Sequence, residues 1–334
     1  MAVMEDRSAS VLAKLKNKAK TSGKPLQIHM QLFCQEEFLR RLSLSEYADN
    51  LILKGGLFIY TLTNFESRAT IDIDFLLRQL PGTVDEIEPI IKTILAVDTG
   101  NDFITFESKG FASIALERKY KGVEFQIIGH IKNTRTPFNV DIGIGDVIVP
   151  KAEKRTIPVQ LDDFTRPQIS TYSLESTIAE KLDAMLQRLE LNSRMKDFYD
   201  IYFLAHTFDF DGRKLQEAIF ETLQNRGTAY NRDSLNAVIA LADDSDMQTR
   251  WRQAVRRMQL PKLAFAEVIN TLQVFLAPAF DAVVNESELL NMWSAENQMW
   301  CNAQKGDNVP PSGYLKEAPP GCNLDSDSNP KLKR

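Results

Sequence analysis

Sulfur is scarce in this chain. Its three cysteines in 334 residues, Cys34, Cys301 and Cys322, lie far apart and form no C-x-x-C pair. Neither a disulfide framework nor a cysteine zinc site can be built from them, and a reducing compartment is the simplest setting. Positive charge is not in excess either: 40 Lys and Arg against 45 Asp and Glu leave a net charge of −5. That excludes a surface gripping nucleic acid everywhere, though not a local basic patch. The opening "MAVMEDRSAS" lacks the apolar core of a signal peptide. The longest apolar region, "VINTLQVFLAPAFDAVV", is interrupted by Asn270, Gln273, Pro278 and Asp281 and reads as too short and too polar to span a bilayer. A soluble, cytoplasmic protein without a membrane partner is the expectation.

The composition is that of a folded protein, 43% hydrophobic and 25% charged, and long enough for one large domain or two ordinary ones. Residues 8–44 read as helix under a Ser8 or Ser10 cap, with Leu32, Phe33, Phe38, Leu39 and Leu42 at helical spacing. "DNLILKGG" reads as a short buried strand, "LFIYTLTN" as a short helix and "SRATIDIDFLL" as a second strand. Turn residues then lead into a helix carrying Val84, Ile87, Ile90, Ile91 and Ile94. Residues 102–150 are β-rich, and after Arg166-Pro167 the pattern becomes helical to about residue 300. The organisation expected is N-terminal helices packed on the core (1–50), an α/β (α+β) domain with a mixed sheet (51–166), and a helical domain closing a cleft (167–302). Residues 303–334 hold five of the 14 prolines and read as a disordered tail.

The chemistry gathers in "LKGGLFIYTLTNFESRATIDIDF". On a strand, Arg68, Thr70, Asp72 and Asp74 share one face, while Ile71, Ile73 and Phe75 pack on the other. Carboxylates at i and i+2 stand about 7 Å apart and repel unless neutralised. A hard divalent ion does this while leaving positions open for phosphate. Arg68 pairing Asp72 on a surface face is the alternative. Gly55-Gly56, between strand and helix, offers free backbone N–H groups to an anion, with Lys54 beside it. A third carboxylate is expected from "FNVDIGIGD": Asp141, flanked by strand formers, is the candidate, and Asp146 reads as a turn residue.

Further along, Ser173 is a candidate helix cap, and Leu174, Ile178, Leu182, Met185 and Leu189 form a buried stripe. Lys181 and Arg188 fall together on another face, either toward a triphosphate across the cleft or as a solvated flank. In "RMKDFYDIYFL", Arg194 and Asp197 share a face while Lys196 and Asp200 make an i,i+4 pair. Arg250, Arg252, Arg256, Arg257 and Lys262 form a candidate basic patch, or simply a solvated helix face.

In order and spacing, "LKGG", "RATIDIDF", "VDIGIGD" and "AEKLDAMLQR…RMKDFYDIYFL" resemble the AbiEii/AbiGii nucleotidyltransferase toxins of the DNA polymerase β-like superfamily, over residues 8–260. The resemblance implies a polymerase β-like fold and a toxin of a bacterial toxin–antitoxin or phage-defence pair. Such an enzyme moves a nucleotide from an NTP to an acceptor, expected to be tRNA, with Mg²⁺ or Mn²⁺ as cofactor and a cognate antitoxin as partner. By position it assigns triphosphate contacts to Gly55 and Gly56; Lys54, Arg68, Lys181 and Arg188 are the candidate cations around the nucleotide. It assigns metal ligation to Asp72 and Asp74, catalytic roles to Lys181 and Asp197, and the third-strand position to Asp141. Many members carry Gly-Ser where this chain has Gly55-Gly56, so a serine hydroxyl contact is missing. Two other readings are a non-catalytic nucleotide-binding module and a DxD glycosyltransferase.

Overall fold

Gly23 and Pro25 break the N-terminal helical stretch into two. In the computed structural model, which describes residues 6–113 and 121–302, α1 (Arg7–Ser22) is capped by Asp6, not by Ser8 or Ser10. The Asp6 side chain accepts from the Ala9 N–H, and the helix ends at Gly23 with φ +69°, a left-handed stop that costs glycine no Cβ clash. α2 (Leu26–Leu44) follows Pro25 and is buried on all sides. Three of its charged residues are paired, Glu37 with Arg40 and Arg41. Glu37 accepts from Arg40 Nε at 2.8 Å, Arg41 Nε at 3.2 Å and Asn101 Nδ2 at 2.8 Å, as buried charge requires.

β1 (Leu51–Lys54) runs into α3 (Gly55–Leu62), and β2 (Ile73–Leu77) returns beside it. α4 (Val84–Leu95) opens with Glu86 accepting from the Thr83 N–H at 3.0 Å. β3 (Ile104–Ser113), β4 (Lys121–Ile131) and β5 (Thr134–Ile144) make an antiparallel meander. β6 (Glu153–Thr156) and β7 (Gln168–Thr171) complete a seven-stranded sheet of order β3-β4-β5-β2-β1-β7-β6. β2 and β5 run parallel, as do β1 and β7, so the sheet is mixed as expected.

Three expectations change here. The strand around the aspartates begins at Ile73, not Ser67; on one side β1 ends at Lys54, opposite Asp74. Ile71 consequently lies outside the strand and is 53% exposed instead of packing in the core. β6 and β7, four residues each, lie where no strand was read, being too short to show alternation.

The remainder comprises α5 (Leu174–Arg188), α6 (Met195–Thr207), β8 (Phe210–Asp211), α7 (Gly212–Arg226), α8 (Ser234–Ala240), α9 (Ser245–Arg257) and α10 (Phe265–Val284). Ser173 caps α5 by accepting from the Ser176 N–H. Leu174, Ile178, Leu182 and Met185 are buried as read, each contributing about 1.5–3 kcal/mol; Leu189 falls just past the helix end. Helix does not continue to residue 300. β9 (Asn291–Ser294) and β10 (Met299–Asn302) form a small sheet with β8, fixed by the Trp293 indole donating to the Ala205 carbonyl at 2.7 Å. α10 is longer than the apolar stretch seen in the sequence. By length and composition it could cross a membrane, and half of its most apolar window is buried inside the protein. The tail expectation for 303–334, and Cys322, lie outside the described residues.

Candidate active site

The site is built where β1 gives way to α3. Gly55 has φ +69°, and a β-carbon there would meet Asp74 Oδ2 at 2.0 Å. Only glycine lets the turn and the carboxylate touch. A β-carbon at Gly56 would lie 3.1 Å from Thr70 Oγ1 and 3.4 Å from Arg68 Nη2. No side chain caps the start of α3, so its first N–H groups remain available to an anion.

Asp74 on β2 and Asp141 on β5 are in-register partners on adjacent parallel strands, whose backbones stand about 4.8 Å apart. Asp72, just before β2, accepts from Asn139 Nδ2 at 3.1 Å. Burial, then the charges of Asp74 and Asp72, push the Asp141 carboxyl up to about 6. Crowded, oxygen-only donors suit a hard divalent cation. Among the described residues no three His, Cys, Asp or Glu side chains converge as a metal cluster. The in-register pair Asp74 and Asp141 could hold an ion together with substrate oxygens, the usual Mg²⁺ arrangement of one or two carboxylates. The three aspartates divide between two spaces: Asp74 and Asp141 line the main cleft, whereas Asp72 and Asp141 line a neighbouring groove.

Across the cleft, of about 220 Å³, charges alternate in a chain. Arg68 donates to both oxygens of Asp200, at 2.7 and 2.6 Å. Lys181 Nζ joins Asp200 at 2.7 Å to Asp197 at 2.8 Å, and Arg194 Nε closes on Asp197 at 2.7 Å. Burial works against every charge here, but Lys181 and Arg68 outweigh it at Asp200, and Lys181 and Arg194 at Asp197, so both carboxyls are held below the ordinary range. Burial lowers Lys181, yet Asp197 and Asp200 raise it overall and keep it charged. The chain contains three cations and two anions. Arg68 thus pairs with Asp200 rather than Asp72, and Asp200 is engaged by Arg68 and Lys181 rather than by Lys196. Arg188 is exposed at the cleft rim.

Sequence reasoning missed a second network that also lines the cleft. Lys54 Nζ binds Asp146 at 2.8 Å and Glu180 at 2.9 Å. Arg226, in the last turn of α7, reaches Asp146, Glu180 and Asp183 at 2.9, 3.2 and 3.0 Å. Burial pushes Asp146 up, but Lys54 and Arg226 outweigh it and hold the carboxyl at about 2. Asp146 is thus an ion-pair hub, not a simple turn residue. Nothing in the sequence links Arg226 to it across 80 positions. In the basic patch, Arg250 donates to the carbonyl of Glu190 at 2.6 Å, while Arg252, Arg256, Arg257 and Lys262 are exposed.

No curated protein matches the chain. Among solved structures it is similar to MenT4, a nucleotidyltransferase toxin from Mycobacterium tuberculosis, at 15% identity and TM-score 0.48, over 83% of this chain and 98% of that one. It is also similar to JHP933 from Helicobacter pylori, at 15% identity and TM-score 0.42, over 75% and 91%. Likenesses this distant carry no argument about the site. The family match does more: residues 37–286 fit the nucleotidyl transferase AbiEii toxins of type IV toxin–antitoxin systems. With that much of its length matched, the chain belongs to the AbiEii nucleotidyltransferase toxin family.

Proposed function

We propose that this nucleotidyltransferase moves an NMP from an NTP to a hydroxyl of an RNA acceptor, the 3′ end of tRNA, and requires Mg²⁺ or Mn²⁺. In this reading it acts in the bacterial cytoplasm as a toxin opposed by a cognate antitoxin, in phage defence. The observation that carries it is the in-register pair Asp74 and Asp141 beside a turn that only glycine can make.

The triphosphate lies along the cleft. Its oxygens meet the N–H groups at the start of α3, and the excess positive charge of the Arg68–Asp200–Lys181–Asp197–Arg194 chain faces it, with Arg188 at the rim. Lys181 acts as the middle of that chain rather than as a free point charge, because two carboxylates fix it. Groups fixed in advance stabilise transition-state charge without reorganising. The acceptor oxygen forms a bond to the α-phosphorus, its proton passes to Asp141, and the bond to the pyrophosphate oxygen breaks. A divalent ion held by Asp74 and Asp141, with Asp72 nearby, would neutralise charge on the attacking and leaving oxygens. Asp197 positions Lys181 and Arg194.

The test is incubation with total tRNA, Mg²⁺ and each α-labelled NTP in turn. Label entering RNA with wild type, and lost in a folded Asp74→Ala variant, supports the reading. Cellular toxicity that persists in Asp74→Ala, with no incorporation by either protein, supports a non-catalytic binding module instead.

A further inference from the structure

The sheet presents two unlike faces at β3, β4 and β5. Val123, Ile127, Phe138 and Val140 turn inward to the core, while Glu124, Gln126, Asn139 and Asp141 turn outward. The main cleft reaches Asp141 but includes none of Lys109, Gln126 or Asn139. Beyond Asp141 lies a separate groove of about 480 Å³, walled by those three side chains with Asp72 and Glu124. Asp74 belongs to the cleft alone, Asp72 to the groove alone, and Asp141 to both.

In-line displacement needs two such spaces, because the attacking and leaving oxygens lie on opposite sides of the phosphorus. With the triphosphate against Gly55 and Gly56, the acceptor must arrive from beyond the carboxylates, where the groove opens. Resting on the nucleotidyl-transfer reading above, we propose that the groove is the acceptor subsite and takes the 3′-terminal nucleoside of an RNA chain.

Its chemistry suits that occupant. Gln126 and Asn139 present amides whose donors and acceptors match base edges and ribose hydroxyls. Gln126 Nε2 donates to Asn139 Oδ1 at 3.4 Å, and Asn139 Nδ2 donates to Asp72 Oδ1 at 3.1 Å. A ligand held by Gln126 is thereby linked to a carboxylate. Lys109 supplies the groove's cation for one phosphate. It is half exposed, and its 3.1 Å contact with Glu107 is a surface pair worth little. A register shift between Lys109 and Ala112, with Gly110 at φ +68°, interrupts pairing with β4 and re-aims the Lys109 end of β3. A polypeptide acceptor fits less well. Extended peptides bind unpaired strand edges; β3 is the sheet's edge strand, but most of the groove's walls are outward side chains of β4 and β5, which are paired on both sides. One cation among three carboxylates also restricts the groove to the terminal nucleoside, leaving the rest of the RNA to be held elsewhere.

Two measurements test this on the full chain. In the first, a tRNA mixture carrying 3′-terminal 4-thiouridine is photocrosslinked with Mg²⁺ present, and the adducts are mapped by mass spectrometry. In the second, the KM values for tRNA and for NTP are compared between wild type and a Lys109→Glu/Gln126→Ala double variant, checked for folding by its thermal transition. Crosslinks within 107–110, 124–126 or 139, with the tRNA KM raised tenfold or more and the NTP KM within twofold, are expected. Crosslinks confined elsewhere, such as to α9, or an unchanged tRNA KM while wild type still incorporates nucleotide, overturn the groove and leave nucleotidyl transfer standing. Label entering protein instead of RNA overturns the RNA assignment. No incorporation by wild type into any acceptor removes the parent reading, and the acceptor subsite with it.

Discussion

Gly55 and Asp74 are in contact so close that a β-carbon on the first would lie 2.0 Å from a carboxylate oxygen of the second. The α3 turn and the carboxylate are therefore set by one another. Gly55→Ala combines a left-handed backbone cost of about 1–2 kcal/mol with displacement of Asp74. Misplacement of a reacting group by about 1 Å costs on the order of 100-fold in rate. The variant is expected to fold with a lowered denaturation midpoint and to lose 100-fold or more in kcat; activity within threefold of wild type would contradict the contact.

Gly56 is different. Its added β-carbon would meet Thr70 Oγ1 at 3.1 Å and Thr70 Cβ at 3.2 Å, so a shift of a few tenths of an ångström in Thr70 suffices. Gly56→Ser is expected to change stability by less than about 1 kcal/mol and to lower the KM for NTP by adding a hydroxyl donor. A raised KM would show that this serine cannot reach phosphate.

Asp200 sits 1% exposed between Arg68 and Lys181. Its removal leaves two cations without their partner in a desolvated place. Asp200→Ala is expected to cost about 3–5 kcal/mol in urea unfolding. Arg68→Lys should also destabilise, by less, because an ammonium cannot reproduce the two-pronged contact. Equal stability of Asp200→Ala and wild type would contradict the burial of this chain.

Asp141 makes the fold pH-dependent when no divalent ion is present. Its folded carboxyl titrates at about 6 against an ordinary 3.8, so the folded state binds this proton more tightly. The associated stability is present below about pH 4 and is lost as pH rises through 6. In chelator, Asp141→Asn is expected to have the higher Tm at pH 7.5 and no advantage at pH 4. Mg²⁺ should raise the wild-type Tm and leave the variant's nearly unchanged; the reverse order of Tm at pH 7.5 would show that the carboxylates do not repel.

Much of this was legible locally. "LKGG" and "DIDF" placed the glycine turn and Asp74, since strand–turn–helix punctuation is a short-range signal, and the isolated charge among strand formers marked Asp141. The partners of those residues were not legible. Arg68 meets Asp200 across 132 positions and Lys54 meets Glu180 across 126, pairings decided by where α5 and α6 come to stand across the cleft from β1 and the segment before β2. Local patterns offered nearer partners, Asp72 and Lys196, that the fold does not use. The division of the aspartates between cleft and groove was hidden for the same reason: it depends on which side chains of distant elements come together around them. The glycosyltransferase alternative, which the DxD spacing alone left open, falls with the family assignment.

The most direct test of the central claim compares two positions of label in one NTP, with tRNA and Mg²⁺. Transfer of the α-phosphorus label to RNA, with the γ label leaving in pyrophosphate, is the predicted result, abolished by chelator and by Asp74→Ala. Transfer of the γ label to RNA, or transfer of the α label undiminished in Asp74→Ala, would contradict it.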